Sequence, residues 1–208
     1  MRYTIMRSGT SRSFPDGDPF LAGASAEADV VLHLGTPLAA DASRAAILVE
    51  LGSECLGVHT GEHAGQEGSN VLGFARYRNG DDPPSPLIEL VRQPRTLESA
   101  MAAARAVFEA AGFTVVVSAD QAGRIVDRLV RPKYNDALRL LDEGLATAAD
   151  MDLTCRLGLG YRDGPIERLE RGGLAHHYDV TYALHKVYGT PGFAPARRAV
   201  VATMRRSR

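Results

Sequence analysis

The feature that most constrains this chain is a change of hydrophobic period: short continuous apolar runs give way to helical spacing from Leu97 onward. Runs of the first kind read as buried strands. They are Tyr3 to Met6, Asp29 to Leu34 (DVVLHL), Ile47 to Leu51 (ILVEL), Val71 to Tyr77 and Leu87 to Arg92, each bounded by glycine, proline or small polar residues. Their unbroken apolar character predicts a sheet covered on both faces. Leu97, Met101, Ala104, Phe108 and Ala111 then share a helical stripe, started by Thr96 and Glu98 and stopped by Gly112. Phe113 to Val117 (FTVVV) reads as one more strand. Beyond it the spacing predicts helices over Gly123 to Leu141, with Pro132 a kink or near the start, and over Thr147 to Arg156, Ile166 to Arg171, Leu174 to Tyr188 and Pro195 to Met204. An α/β domain over 1–119 and an all-helical domain over 120–208 follow.

With 45% hydrophobic and 24% charged residues over 208 positions, the chain can bury a core in either half. The net charge of −1 supplies no basic field, which argues against a nucleic-acid partner. The basic run Arg205, Arg206, Arg208 reads as a solvated tail. Cys55 and Cys155 stand far apart without a CxxC partner, as suits a reducing compartment. No apolar run has the length of a signal peptide or a membrane span, so a cytoplasmic protein without a membrane partner is expected.

The stretch Asp120 to Leu174 carries Asp120, Gly123, Arg128, Gly144, Ala146, Asp150, Asp152, Gly158, Gly160, Tyr161, Gly164 and Pro165 in order. This pattern resembles the C-terminal domain of the 3-hydroxyacyl-CoA dehydrogenases, with its Asp, Gly-Phe-x-x-Asn-Arg, Gly-x-Ala, Asp-x-Asp and Gly-x-Gly-Tyr-Pro-x-Gly-Pro segments. The resemblance implies a reduced Rossmann-like α/β domain followed by an all-α domain of the 6-phosphogluconate dehydrogenase C-terminal-like type. It also implies a homodimer through the C-terminal helices and an acyl-CoA ligand. In that family NAD binds the N-terminal domain.

A dinucleotide site needs a G-x-G-x-x-G turn between a strand and a helix. Here the turn reads YTIMRSGTSRSF, with Gly9 the lone candidate glycine and Arg7 and Ser11 beside it. AEADVVLHLG resembles the family's fourth strand, yet only about 20 residues separate Gly9 from Asp29, where each βαβ unit would take roughly 30. At least one strand and two helices are missing, and no NAD or other cofactor is expected. Against the family pattern, Gly73 takes the position of the catalytic histidine, followed by Ala75 and Arg76. Glu89 matches the orienting glutamate, Asp127 the substrate-contacting asparagine, and Ser53, with Glu54 and Cys55, the Ser-Asn-Thr-Ser-Ser loop. The resemblance thus implies Glu89, Asp127 and Ser53 as site residues.

His59, Glu62 and His63 have the H-x-x-E-H order of a zinc site, but Gly57, Gly61 and Gly65 oppose a helix there, and no metal is expected. His176, His177 and His185 lie on one predicted helix, where His177, Thr181 and Leu184 share a face; paired histidines there read as exposed or partner-facing. Arg124, Arg128 and Arg131 recur on another, either salt-bridged or receiving a phosphate. Cys155 reads as core, and Cys55 lacks a neighbour that would activate it. The expectation is a dehydrogenase-like protein of fatty-acid and acyl-CoA metabolism that retains acyl-CoA binding without conventional oxidation. The alternatives are a structural or regulatory dimerisation partner of a full-length dehydrogenase, and an oxidoreductase rebuilt on Glu89, Asp127 or a histidine.

Overall fold

The computed structural model describes residues 2–61 and 70–206. It divides into two compact units, one of residues 1–78 and 84–124 and one of residues 79–83 and 125–208.

The first unit is built on six strands that coincide with the six apolar runs: β1 (Thr4–Arg7), β2 (Val30–Leu34), β3 (Ala46–Glu50), β4 (Val71–Arg76), β5 (Leu87–Arg92) and β6 (Thr114–Ala119). They form one sheet in sequential order, with β1 to β4 parallel, β5 antiparallel to β4 and β6 parallel to β5. The doubly wound dinucleotide fold runs 3-2-1-4-5-6. Removing its second and third strands would leave the first beside the fourth, and the neighbour of β1 here is β2, the strand whose sequence resembles the family's fourth.

Crossovers in this reduced sheet are short. Between β1 and β2 there is only α1 (Pro19–Ala22), and among the described residues between β3 and β4 there is α2 (Gly57–Thr60), one turn in a stretch whose glycines oppose a helix. The connection from β2 to β3 has no helix; Asp41 folds it into a turn by accepting from the Ser43 amide and hydroxyl, at 3.0 and 2.6 Å, and from Arg44 Nε at 3.0 Å. Thr4, Met6, Val31, His33 and Ile47 are therefore left lining an open cavity of about 470 Å³.

The 13-residue α3 (Glu98–Ala110) covers the opposite face, its buried Ala100, Met101, Ala104, Val107 and Phe108 packing with Leu32, Leu48, Leu72, Phe74, Ile88 and Leu90. Alternation along the strands sends Ile47, Val49, Leu51, Val71 and Val91 to the other side, where Leu56 joins them. Asp120 fastens α2 by accepting from the amides of Leu56 at 2.6 Å and Gly57 at 2.9 Å and from Gln93 Nε2 at 3.0 Å.

The second unit holds α4 (Ile125–Asp142), α5 (Ala148–Leu159), α6 (Pro165–Gly172), α7 (Leu174–Tyr188) and α8 (Arg197–Arg206) around Tyr134, Leu138, Ile166, Leu169, Ala196 and Ala199. Pro132 lies well inside α4 rather than near its start. Asp152 on α5 accepts from the first-turn amides of α6, Ile166 at 2.8 Å and Glu167 at 3.0 Å. Gly164 must lack a side chain, because a Cβ there would overlap the Asp152 carboxyl group. Gly160 ends α5 in the left-handed region at φ 69°. The Asp-x-Asp and glycine-proline elements are thus joints between helices. Among the described residues no helix is long and apolar enough to cross a membrane.

Candidate functional site

In open α/β sheets ligands bind outside the carboxyl ends of the parallel strands. Here those ends are Arg7, Leu34, Glu50 and Arg76. The segment leaving β1 reaches past β2 to β3 and β4. Two of its serines, Ser11 and Ser13, are almost wholly buried and meet Glu50: Ser11 Oγ and the Ser13 amide both donate to Glu50 Oε1 at 2.8 Å. Ser11 Oγ also accepts from the Phe14 amide at 2.9 Å, and Ser13 Oγ accepts from the Arg76 amide at 3.1 Å. Phe14 anchors the segment, fully buried among Phe20, Phe74, Phe108 and Phe113.

Arg76 closes the other side. Its Nη1 pairs with Asp18 Oδ2 at 2.6 Å, its Nε donates to the Ser85 carbonyl at 2.5 Å, and its guanidinium lies 4.7 Å from the Phe113 ring centre. Arg76 and Glu50, a cation and a carboxylate at neighbouring strand ends, therefore hold the entering loop by opposite means.

Gly73 sits in the middle of β4, paired with Val91. A Cβ placed on it would overlap Leu51 Cδ1 and lie 2.9 Å from Leu51 Cγ. Leu51 thus fills the space an imidazole on β4 would need. Glu89, 2% exposed, is opposite Ala75 on β5. Ser53 follows β3, and its carbonyl accepts from the Gly123 amide at 2.7 Å. Arg124 precedes α4 instead of lying on it, and donates to the carbonyls of Glu54 at 3.1 Å and Gln121 at 2.5 Å.

Asp127 belongs to the helical unit, where its Oδ1 receives Arg131 Nε at 2.8 Å and Nη2 at 2.7 Å. Arg131 Nη1 then reaches His177 Nδ1 at 3.3 Å, and His177 Nε2 meets Asn135 Oδ1 at 2.9 Å. Asn135 Nδ2 donates to Thr181 Oγ1 at 2.8 Å, which donates to the Phe193 carbonyl at 2.9 Å. His177 is 1% exposed, so the expectation of an exposed or partner-facing histidine is corrected. Burial, and secondarily the Arg131 charge, push its imidazole down to about 3. With Arg131 donating to Nδ1, the proton of the neutral ring belongs on Nε2, facing the Asn135 oxygen. Arg128 stacks over Tyr188 at 4.7 Å.

His59 Nε2 lies 3.5 Å from Glu54 Oε1, while Glu62 and His63 fall outside the described residues. Among the described residues no three His, Cys, Asp or Glu side chains gather as a metal site. Arg206 pairs with Asp179 at 3.0 Å, and Arg208 is outside the described range. Cys155, expected in the core, is partly exposed, as is Cys55.

Residues 123–207 match the family profile of the 3-hydroxyacyl-CoA dehydrogenase C-terminal domain. The helical half is a domain of that family. Human mitochondrial hydroxyacyl-coenzyme A dehydrogenase is 35% identical over 113 residues, covering 50% of this chain and 36% of that protein. L-carnitine dehydrogenase of Pseudomonas putida is 36% identical over 78 residues, 37% of this chain and 24% of its own. The solved (S)-3-hydroxybutyryl-CoA dehydrogenase of Ralstonia eutropha superposes with a TM-score of 0.69 at 22% identity, covering 83% of this chain and 64% of that one. FadB2 of M. tuberculosis gives a TM-score of 0.74 at 21% identity, covering 86% of this chain and 66% of that one. These superpositions establish the fold: a reduced Rossmann-like sheet followed by the dehydrogenase-type helical domain. The chain spans 36%, 30% and 28% of three of its curated relatives.

The dinucleotide that this fold family implies does not fit the residues present. A pyrophosphate site takes its donors from a glycine-lined turn and the helix that follows directly. In this 3-hydroxyacyl-CoA dehydrogenase-like chain two of the donors after β1, the Ser11 hydroxyl and the Ser13 amide, already serve Glu50, and the next helix waits until Pro19 and lasts four residues. Glu50 escaped the sequence reading. Its one signal is a carboxylate inside the otherwise apolar ILVEL run.

Proposed function

We propose that this chain is a 3-hydroxyacyl-CoA dehydrogenase-like protein of fatty-acid and acyl-CoA metabolism that binds an acyl-CoA thioester and does not carry out conventional NAD-dependent oxidation. The observation that carries the second half is Leu51 packed into the space beside Gly73, where the family pattern has its imidazole. A general base must reach the proton it removes, and a leucine in that space supplies neither lone pair nor room. The first half is supported by the family of the helical domain and by the relatives whose names carry acyl-CoA substrates. Glu89 and Ser53 in the first unit, and Asp127 in the helical unit, are the residues proposed as candidate site residues.

Calorimetric titration with acetoacetyl-CoA and, separately, with NADH tests this reading. Binding of the thioester, no binding of NADH and no NADH consumption with both present are expected. Consumption of NADH by the wild-type chain would sink it.

A second reading, pairing with another copy or with a full-length dehydrogenase through the helices, is favoured by Leu153 and Leu157. These lie one turn apart on α5 and are 47% and 79% exposed. Sedimentation of the chain alone and with such an enzyme checks it; a monomer under both conditions would remove it.

A further inference from the structure

We infer that Glu50 is an internal anion, a carboxylate of the chain's own that the loop after β1 folds around in the place where a sheet of this kind receives a ligand's phosphate. The inference rests on the reading that no dinucleotide is used and adds what occupies the slot instead.

Topology puts the loop there. The parallel strands lie in the order β1, β2, β3, β4, so the chain leaving Arg7 must cross the end of β2 to meet Glu50 and Arg76. Three strand spacings are about 14 Å, well within the reach of residues 8–14 at about 3.3 Å each. Ser11 and Ser13 arrive at β3 and place a hydroxyl and an amide on one oxygen of Glu50, both at 2.8 Å. Converging hydroxyl and amide donors are the chemistry of an anion cradle, and here the anion is covalently part of the sheet.

The loop is held at every stage. Arg7 Nε donates to the Gly9 carbonyl at 3.0 Å, and Gly9 takes φ 76°, the left-handed turn that starts the crossing. Arg12 Nη2 donates to the Arg78 carbonyl at 2.9 Å, and the Arg76 amide binds Ser13 Oγ. Phe14 ends the crossing in the aromatic core. A phosphate arriving at this edge would find the Ser11 hydroxyl and the Ser13 amide engaged and a carboxylate beside them. Charge repulsion of this kind in a partly buried site is strong, because screening water is scarce.

The sheet also explains why the anion comes from β3. Its end is one strand away from β4 and two from β1, the middle of the carboxyl edge. A carboxylate there answers the Ser11 hydroxyl and the Ser13 amide from within the chain. Arg76 does not compete for this carboxylate, being paired with Asp18 at 2.6 Å.

The test uses the full chain, isotopically labelled, with the amide resonances of Ser13 and Phe14 followed during titration with inorganic pyrophosphate and with NADH. Wild-type protein is expected to show no shift at Ser13 with either. Glu50→Gln retains an oxygen that can accept both bonds while removing the charge, and is expected to bind pyrophosphate at Ser13 at least tenfold more tightly than wild type. Equal pyrophosphate response in wild type and Glu50→Gln would overturn the inference. Should Glu50→Gln not fold, Ser11→Ala decides: with the carboxylate retained, pyrophosphate must still leave Ser13 unmoved, and a shift there refutes the internal anion. NADH binding that leaves Ser13 unmoved in wild type would refute the functional reading instead, and leave the assignment of Glu50 standing.

Discussion

Leu51 and Gly73 are a size-matched pair across neighbouring strands: the leucine at the end of β3 fills the volume that the glycine on β4 leaves, to the point where a Cβ on Gly73 would overlap it. Gly73→Ala should therefore destabilise the chain by about 1–3 kcal/mol, as overpacking does in a rigid core. Gly73→Ala combined with Leu51→Ala should recover a large part of that loss. Urea denaturation of the two single variants and the double variant measures the coupling, and simple additivity would refute the pairing.

Asp152 should matter to the helical unit far more than its place on a polar-looking helix suggests. It is the acceptor for two amides at the start of α6, at 2.8 and 3.0 Å, and Asp152→Ala leaves both without that partner. A loss of about 1–3 kcal/mol is expected, with hydrogen exchange faster at Ile166 and Glu167. Unchanged exchange at those two amides would remove the capping role.

The strands were legible because the buried β2, β3, β4 and β5 demand apolar runs; the expectation of cover on both faces fails at β1, which has no buried residue, and at β6, which has one. The helical joints were legible through Gly160, Gly164 and Pro165, whose backbone demands are local. What escaped depends on neighbours distant in sequence. Glu50 looks like the end of an ordinary strand until Ser11 and Ser13 are brought to it, and Leu51 fills Gly73 only once the β3–β4 register is known. One-turn helices such as α1 and α2 contain no period to detect. His177 looked outward-facing because Asn135 and Thr181, which satisfy its surroundings, meet only when α4 and α7 pack.

Arg76 and Asp18 form a part-buried ion pair, with side chains 11% and 8% exposed. Arg76→Met should cost about 1–3 kcal/mol, since it leaves the part-buried Asp18 carboxylate with the Phe20 amide alone and removes the guanidinium's own hydrogen bonds. Arg76→Met with Asp18→Asn should be less damaging than the sum of the two single changes, because the unpaired charge is gone. Thermal melts of the four proteins test this, and a double variant as unstable as the sum would argue that packing of the guanidinium on Phe113 is the larger contribution.

The His177 network sets a direction for acid sensitivity. Its folded pKa of about 3 lies below the ordinary histidine value of 6.5, so between these values the unfolded chain binds a proton that the folded chain refuses. Stability from this group is fully present above pH 6.5 and is lost progressively as the pH falls toward 3. Over the first stretch, from neutral to pH 5, the loss should be about 2 kcal/mol at 1.36 kcal/mol per unit. Protonating Nδ1 would set a donor and a positive charge against Arg131 Nη1, 3.3 Å away, which is why the ring resists it. His177→Gln removes the titration while keeping an amide able to donate to Asn135. Its unfolding free energy should be lower than wild type at pH 7 and should change less between pH 7 and pH 5, so that the two curves converge in acid. Parallel curves would show that the acid sensitivity arises elsewhere.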